Sequence, residues 1–188
     1  MNIKVLELSL LYPKINLQLL SFQLTGGIDL SAIDGVGHNT LLSILSEVGI
    51  DFGKFPSAKH FSSWLRLAPN NKKSGGKILS SRTPKGNSRL ANDLRQVALA
   101  IGNNLKRGAL HHFFKRIAYR KGKLAAITAT ARKIAVIIWH MMTKKSPYTY
   151  MKEEDYLMGI RIKQINSLKR KIKTLNVQPH ELGVELSC

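Results

Sequence analysis

Apolar residues recur at the spacing of an α-helix in five segments between residues 39 and 143. The segments cover about residues 39–48, 57–67, 88–103, 109–121 and 123–143. A repeat near 3.6 residues predicts amphipathic helices, because the side chains of a strand alternate with a period of two. The last segment is apolar on most sides toward its end, so we expect that helix to be buried. The sequence therefore predicts a mainly α-helical domain.

Weaker patterns flank these helices. Residues 1–29 form an uneven amphipathic lead-in, which predicts a short strand and helix or the remnant of something longer. Residues 151–188 form a helical tail, with apolar residues near heptad positions between 158 and 175. Three heptads are marginal for a coiled coil, so we expect the tail to dock on its parent domain. The chain divides into the lead-in, a domain over 30–150 and the tail.

The charge of the chain is concentrated in one window. The 188 residues include 30 Lys or Arg and 11 acids, a formal net charge of +19. Between Phe52 and Lys152 lie 22 of the bases and a single acid, Asp93. Each phosphate that such a surface contacts releases condensed counterions, which favours a nucleic-acid backbone as partner. The bases are scattered among apolar residues rather than clustered beside a membrane segment, so we expect no membrane partner.

The sequence gives little support to disulfide bonds, a membrane span, a signal peptide or a metal site. Cys188 is the only cysteine, so one chain forms no disulfide framework or thiolate metal site, which suits a reducing cytoplasm. The apolar run 134–139 is too short to span a bilayer, and Glu7 interrupts the apolar N-terminus, which makes a poor signal peptide. The aspartates are scattered and the histidines lack metal-ligand spacing. We expect a cytoplasmic protein with no metal ligands of its own.

The segment from Ile33 to Thr40 resembles the hairpin of helix-hairpin-helix DNA-binding modules. Gly35 and Gly37 would let backbone N–H groups approach a phosphate, and the helix that follows adds its positive N-terminal end. A plain glycine-rich turn before a helix explains the same spacing equally well. In this basic context the hairpin interpretation is favoured, with Gly35 and Gly37 as DNA-binding residues.

A serine lies in a basic glycine loop within the main irregular stretch, residues 69–87. The loop consists of Lys72, Lys73, Ser74, Gly75, Gly76 and Lys77. It fits a flexible surface loop, a phosphate-holding nest or the carrier of a nucleophile, whereas the spacing excludes a Walker loop. The three lysines would bind phosphoryl oxygens and the glycines would let the backbone reach a substrate. No histidine or carboxylate lies nearby in the sequence to take the serine proton, so the residues alone leave the alternatives open.

Several motifs in a fixed order carry a more specific signal. They are IDGVG at 33–37, FSSWLRLAP at 61–69, SGGK at 74–77 and TPKGNSRL at 83–90, with Ile134-Ala135 and Pro147-Tyr148 closing the set. Over roughly residues 30–150 this order resembles the C-terminal domain of the insertion-sequence transposases of the IS116/IS110/IS902 group. In that family the domain supplies a serine that attacks a DNA phosphodiester and forms a covalent phosphoserine link, which implies this catalytic role for Ser74. Lys77, Lys85 and Arg89 are candidate phosphate ligands by charge and position.

The resemblance also implies partners. Members of the family are guided by a structured RNA, which we expect beside DNA, and self-association as a homo-oligomer is a further expectation. Family proteins begin with an RNase-H-like domain whose acidic residues bind a divalent metal, whereas residues 1–29 contain only Glu7 and Asp29 as acids. We therefore expect a truncated copy that needs no cofactor itself and does not transpose alone. The alternative is a non-catalytic, basic nucleic-acid-binding protein in which Ser74 is an ordinary loop residue.

Overall fold

The predicted helices are present in the computed structural model, which describes residues 16–86, 88–103 and 108–176. Their bounds are α1 Leu17–Leu24, α2 His38–Ser43, α3 Ala58–Trp64, α4 Arg89–Asn103, α5 Ala109–Lys121, α6 Lys123–Lys144 and α7 Glu153–Leu175. A 3₁₀ turn at Leu30–Ala32 precedes α2, and a π-helical turn at Ile44–Val48 prolongs it. The prediction of a mainly α-helical fold is confirmed.

Short polar side chains begin several of the helices. The Asn16 side chain accepts hydrogen bonds from the amides of Gln18 and Leu19, both at 3.1 Å. The Ser88 hydroxyl accepts one from the amide of Ala91 at 3.1 Å. Such caps satisfy amide groups that have no partner within the helix, which is why these residue types mark helix starts.

The core lies where α3 and α4 pack against α6. The buried residues of α4 recur every three or four positions, which gives the helix one continuous apolar face. They are Leu90, Ala91, Leu94, Val97, Ala98 and Ile101. On α6 the buried core residues are Ala131, Ile134, Ala135, Ile138, Met141 and Met142. Helix α6 corresponds to the last predicted segment, residues 123–143. The prediction that this helix is buried is confirmed over its face toward α3 and α4.

Aromatic residues fill the core beside α3. Phe61 is fully buried, and its ring centroid lies 5.3 Å from that of Phe52 and 5.0 Å from that of Phe55. Trp64 stacks on Phe61 with 6.3 Å between the centroids, while 46% of its surface stays exposed. The indole N–H of Trp139 on α6 donates to the carbonyl of Phe55 at 3.3 Å. These contacts join α3 and the turn before it to α6.

Helix α6 is long and apolar enough to cross a membrane by length and composition alone. A helix that lines the core of a globular domain passes the same test, and α6 buries one face against α3 and α4. Of the uninterrupted apolar run 134–139, Ile134, Ala135 and Ile138 are buried on that face. We therefore regard α6 as a core helix.

The stretch that was predicted to be irregular contains a β-hairpin. Strand β1, Lys72–Ser74, pairs antiparallel with strand β2, Lys77–Ser80. The two turn residues between them, Gly75 and Gly76, have φ angles of +53° and +75°. Positive φ at both central residues is the requirement of a type I′ turn, which glycine meets without strain. The prediction missed the hairpin because its strands lack the apolar alternation that usually identifies them.

The described residues form two compact units. The first contains residues 16–103, apart from Asn87, together with 110–149, and the second contains 108–109 and 150–176. In the second unit the Gly108 amide donates to the Glu153 carboxylate at 3.3 Å. Within this unit no residue of α7 is buried, and apolar side chains such as Met158 and Leu168 are exposed. Docking of the tail on the parent domain stays a prediction.

Candidate nucleic-acid interface

Ser74 is the last residue of β1 and stands directly before the hairpin turn. Its cross-strand partner is Lys77, the first residue of β2. Directly opposed residues of an antiparallel pair point to the same face, with Cβ atoms about 5 Å apart. The Lys77 ammonium can therefore reach the Ser74 hydroxyl. Both residues are exposed, as are Lys72, Lys73, Gly75 and Gly76, so a phosphate backbone has free access to all six.

The hairpin combines three exposed lysines with the exposed hydroxyl of Ser74. Within residues 16–86, 88–103 and 108–176, Ser74 has no hydrogen-bond partner that could take its proton. A serine needs such a base, or a charge that steadies the developing alkoxide, to become a nucleophile. Lys77 can supply that charge, because a cation beside an oxygen stabilises the anionic form of the oxygen. A base would have to come from outside the described residues.

Arg66 holds the base of the loop that carries this hairpin, and sequence reasoning did not single it out. Its guanidinium Nη1 donates to the carbonyl of Lys85 at 2.6 Å. Its side chain crosses so close to Gly86 that a Cβ there would lie 2.3 Å from the Arg66 Cδ. Arg66 itself has a φ of +55°, a left-handed conformation that is uncommon for a residue other than glycine. No local sequence pattern predicts the φ angle of Arg66 or its contact with Lys85. The sequence analysis included Arg66 only as part of the motif at 61–69.

We expect Arg66→Ala to loosen residues 81–86 without unfolding the domain. One net hydrogen bond contributes about 1 kcal/mol, so amide hydrogen exchange in this segment should accelerate about fivefold. The measurement is hydrogen exchange followed by mass spectrometry, with the peptides of α4 as an internal reference.

Arg82→Ala is the matched control, because Arg82 is an exposed arginine of the same loop whose backbone carbonyl accepts from the Asn70 amide at 3.1 Å. That contact survives the substitution, so exchange should stay close to that of the unaltered chain. Equal acceleration in both variants would show that general loss of charge, and not the Arg66 contact, holds the loop.

Glu47 fixes the other end of the loop. Its carboxylate accepts from the Ser88 hydroxyl at 2.8 Å and from the Arg89 amide at 2.6 Å. A carboxylate at a helix N-terminus is favourable, because it pairs with free amides and with the positive end of the helix dipole. The contact joins the turn after α2 to the start of α4 and leaves the Arg89 side chain exposed. The sequence held no signal for it, since the partners are more than 40 residues apart.

Gly35 and Gly37 lie on an open cavity of about 450 Å³ between the start of α2 and the side of α4. Gly35 has a φ of +78°, and a Cβ there would lie 3.1 Å from a Val97 methyl carbon, so this glycine serves close packing. Gly37 is the N-cap of α2, without a side-chain cap, and has open space around it. Of the two predicted glycines, Gly37 is the one with room for a phosphate.

Two carboxyl groups lie near these glycines. Asp93, which lines the cavity, accepts a hydrogen bond from the Ser43 hydroxyl. Partial burial raises the pKa of the Asp34 carboxyl above its ordinary value. The folded chain therefore binds the Asp34 proton more tightly than the unfolded chain, and ionisation of this group at higher pH lowers stability. Neither carboxylate belongs to a cluster: within the described residues no three His, Cys, Asp or Glu side chains could hold a metal ion together.

Residues 29–115 match the family model described as Transposase IS116/IS110/IS902 family. These residues form a domain of that transposase family. The matched segment runs from the turn before α2 into α5 and includes every predicted site residue.

Three curated relatives are similar to the chain over about three fifths of its length. The chain is 32% identical over 120 residues to a transposase for insertion sequence element IS1111A of Coxiella burnetii, covering 62% of this chain and 33% of that protein. It is 32% identical over 122 residues to a pilin gene-inverting protein of Moraxella bovis, covering 63% and 37%. The IS110 uncharacterized 43.6 kDa protein of Streptomyces coelicolor is 27% identical over 113 residues, covering 60% and 28%. The chain spans about a third of the length of the curated relatives it matches.

The predicted site residues of the transposase domain fall into three groups. The hairpin brings together Lys72, Lys73, Ser74, Gly75, Gly76 and Lys77. Lys85 and Arg89 flank the start of α4, while Gly35 and Gly37 lie beside the middle of the same helix. Arg66 and Glu47 connect the hairpin loop to the helices that carry the other groups. The arrangement is a set of exposed cations and glycines on a helical support.

Proposed function

We propose that this transposase domain binds DNA through its basic loop and that Ser74 is the nucleophile that attacks a phosphodiester. The observation that carries the proposal is the position of Ser74, exposed beside a type I′ turn and opposite Lys77, within the segment that matches the family. Exposure gives the hydroxyl access to a duplex backbone. The lysine supplies the positive charge that the reaction needs at that point.

The proposed step exchanges one phosphoester bond for another. The Ser74 Oγ forms a bond to phosphorus while the bond from phosphorus to one bridging DNA oxygen breaks. The serine proton passes to a base outside the described residues, and the departing oxygen takes up a proton from solvent. Lys77, with Lys72 and Lys73, would neutralise the charge that builds on the phosphoryl oxygens, where stabilisation has its largest effect. The energy of the broken ester is kept in the phosphoserine link, which permits rejoining to a second strand.

The rest of the interface would position the duplex. Lys85 and Arg89, exposed at the start of α4, would contact phosphates on one side of the loop. Gly37 and the amides that open α2 would contact another phosphate of the same backbone. Contacts of this kind fix orientation on the duplex and carry no base sequence. Arg66 and Glu47 would keep these groups in register with the hairpin.

The proposal includes partners beyond the chain. The described residues do not fit a divalent metal, so no step here passes through one, and a metal would enter with an acidic domain. A structured RNA guide, self-association and a cytoplasmic site of action complete the proposal, supported by the family and by the excess of positive charge. The whole transposition reaction belongs to the proposal as well, because the chain covers about a third of its relatives.

The test is covalent labelling of the full chain with DNA that carries a nitrophenyl phosphodiester, whose leaving group departs without a proton. We expect a DNA adduct that survives denaturing electrophoresis and is absent from Ser74→Ala, while the affinity for unmodified duplex is unchanged. Ser81→Ala, an exposed serine of the same loop, is the matched control and should form the adduct normally.

Two outcomes would reject the nucleophile. Adduct formation by Ser74→Ala at the normal rate would place the attack elsewhere. Duplex binding without any adduct in the unaltered chain would favour a non-catalytic nucleic-acid-binding protein, in agreement with the lack of a base near Ser74 among the described residues. Mass spectrometry of the adduct peptide identifies the modified residue directly.

A further inference from the structure

An exposed aromatic ring lies at a basic tip where α5 ends and α6 begins. We define the basic tip as residues 119–124. Tyr119 is 94% exposed and Leu124 is 82% exposed, the two largest fractions among the large apolar side chains of the described residues. Gly122, with a φ of +87°, makes the turn between the helices. The tip therefore presents an aromatic ring and an apolar side chain to solvent on either side of one turn.

The basic tip contains no acidic residue. Arg120, Lys121 and Lys123 are exposed, and no acid occurs between Asp93 and Glu153 in the sequence. Other cations nearby have an aromatic partner: the Lys133 ammonium lies 4.6 Å and the Arg116 guanidinium 5.7 Å from the centroid of the Phe113 ring. Phe113 thus engages Arg116 and Lys133, whereas Arg120, Lys121 and Lys123 are exposed close to Tyr119 in the sequence.

We propose that the basic tip binds unpaired nucleotides, with Tyr119 stacking on a base and Arg120, Lys121 and Lys123 contacting the flanking phosphates. Aromatic rings combined with cations are the means by which proteins hold single strands, because every base offers a π-face once it leaves the duplex stack. A duplex hides those faces, so it would use the cations alone. The proposal rests on the proposed function, since cleavage and exchange of strands leave nucleotides unpaired next to the enzyme.

A protein or lipid partner fits the basic tip less well. Two apolar side chains are too few for the desolvated centre of a stable protein interface. A membrane surface would also attract the three cations, but peripheral binding needs an apolar face that continues along a helix. Next to Tyr119, positions 120, 121 and 123 all carry charge instead. The pattern of one ring among cations matches a nucleotide strand.

The test measures the affinity of the full chain for dye-labelled oligothymidine by fluorescence anisotropy, beside a duplex of equal length. Stacking of one base contributes about 1–3 kcal/mol, so Tyr119→Ala should weaken oligothymidine binding about 5- to 150-fold and leave duplex binding unchanged. Tyr119→Trp should retain the affinity, because indole also stacks. Tyr150→Ala is the matched control, a half-exposed tyrosine outside the tip, and should behave like the unaltered chain.

Further experiments distinguish RNA from DNA as the bound strand, and base stacking from other modes of binding. Oligouridine in place of oligothymidine tells whether the bound strand is RNA or DNA. Equal losses for single strand and duplex, or failure of Tyr119→Trp, would overturn the stacking role. So would a Tyr119→Ala variant that loses binding only to vesicles of phosphatidylcholine and phosphatidylserine. The adduct assay at Ser74 reports the proposed function separately: normal adduct formation with no oligothymidine effect rejects the basic tip alone, and the reverse rejects Ser74 alone.

Discussion

The affinity of the chain for a DNA duplex is expected to fall about 10³- to 10⁵-fold between about 50 mM and about 200 mM salt. This fall corresponds to about 6–10 phosphate contacts, each of which releases condensed counterions. The hairpin lysines Lys72, Lys73 and Lys77, with Lys85 and Arg89, would supply about five of these contacts, and other exposed cations between Phe52 and Lys152 would supply the rest. The net charge of +19 makes the effect large.

The measurement is a set of duplex binding curves at stepped salt concentrations, plotted as log K against log salt. Lys72→Gln and Lys73→Gln should each reduce the slope by about 0.9, the value for one neutralised phosphate. Asn71→Ala alters the same loop without changing charge and should leave the slope as it is. A nearly flat line for the unaltered chain would mean that the basic window does not contact the duplex backbone.

Phe61→Ala is expected to lower the free energy of unfolding of the first unit by about 3–5 kcal/mol. Phe61 is fully buried and touches the rings of Phe52, Phe55 and Trp64, so truncation leaves a cavity in the part of the core that joins α3 to α6. Urea unfolding followed by tryptophan fluorescence measures the change, since Trp64 and Trp139 both report on this region.

Trp64→Ala provides the comparison, because nearly half of this larger side chain is exposed and its loss should cost clearly less. Equal costs for the two variants would show that ring size, and not burial at Phe61, determines the stability of this region. An unaltered midpoint for Phe61→Ala would contradict the core packing described here.

The helices were predictable from the sequence because their signal is local. The apolar faces of α4 and α6 repeat over four or more turns, and Gly122 and Ser146-Pro147 mark the limits of α6, so periodicity and breakers were enough. The hairpin was missed although its Gly75-Gly76 pair is a turn signal, because the short flanking strands are mostly lysine and serine. Local patterns report structure reliably only where burial is continuous along the segment.

The sequence predicted which residues form the candidate site but not the contacts that hold them in place. The lysines and glycines around Ser74 stand next to one another in the chain, and the hairpin keeps them together. Arg66 and Glu47 act across 19 and 41 residues, through a carbonyl and a helix start that no sequence spacing encodes. The ring of Tyr119 also gave no signal, because exposure depends on where the packing of α5 and α6 ends. Long-range contacts and exposure are set by tertiary structure.

The scarcity of acids between Phe52 and Lys152 has a consequence for how the domain finds its target. Asp93 is the single acid there beside 22 Lys or Arg, and its carboxylate is partly buried and accepts from the Ser43 hydroxyl, so the positive field of this window is little interrupted. A continuous field captures DNA at any point along its length and lets the bound protein slide and hop. The search would therefore run mainly along the duplex, with its speed tuned by the ionic strength of the cell. Arrival would be fast and indiscriminate, and commitment would depend on the events that follow at Ser74.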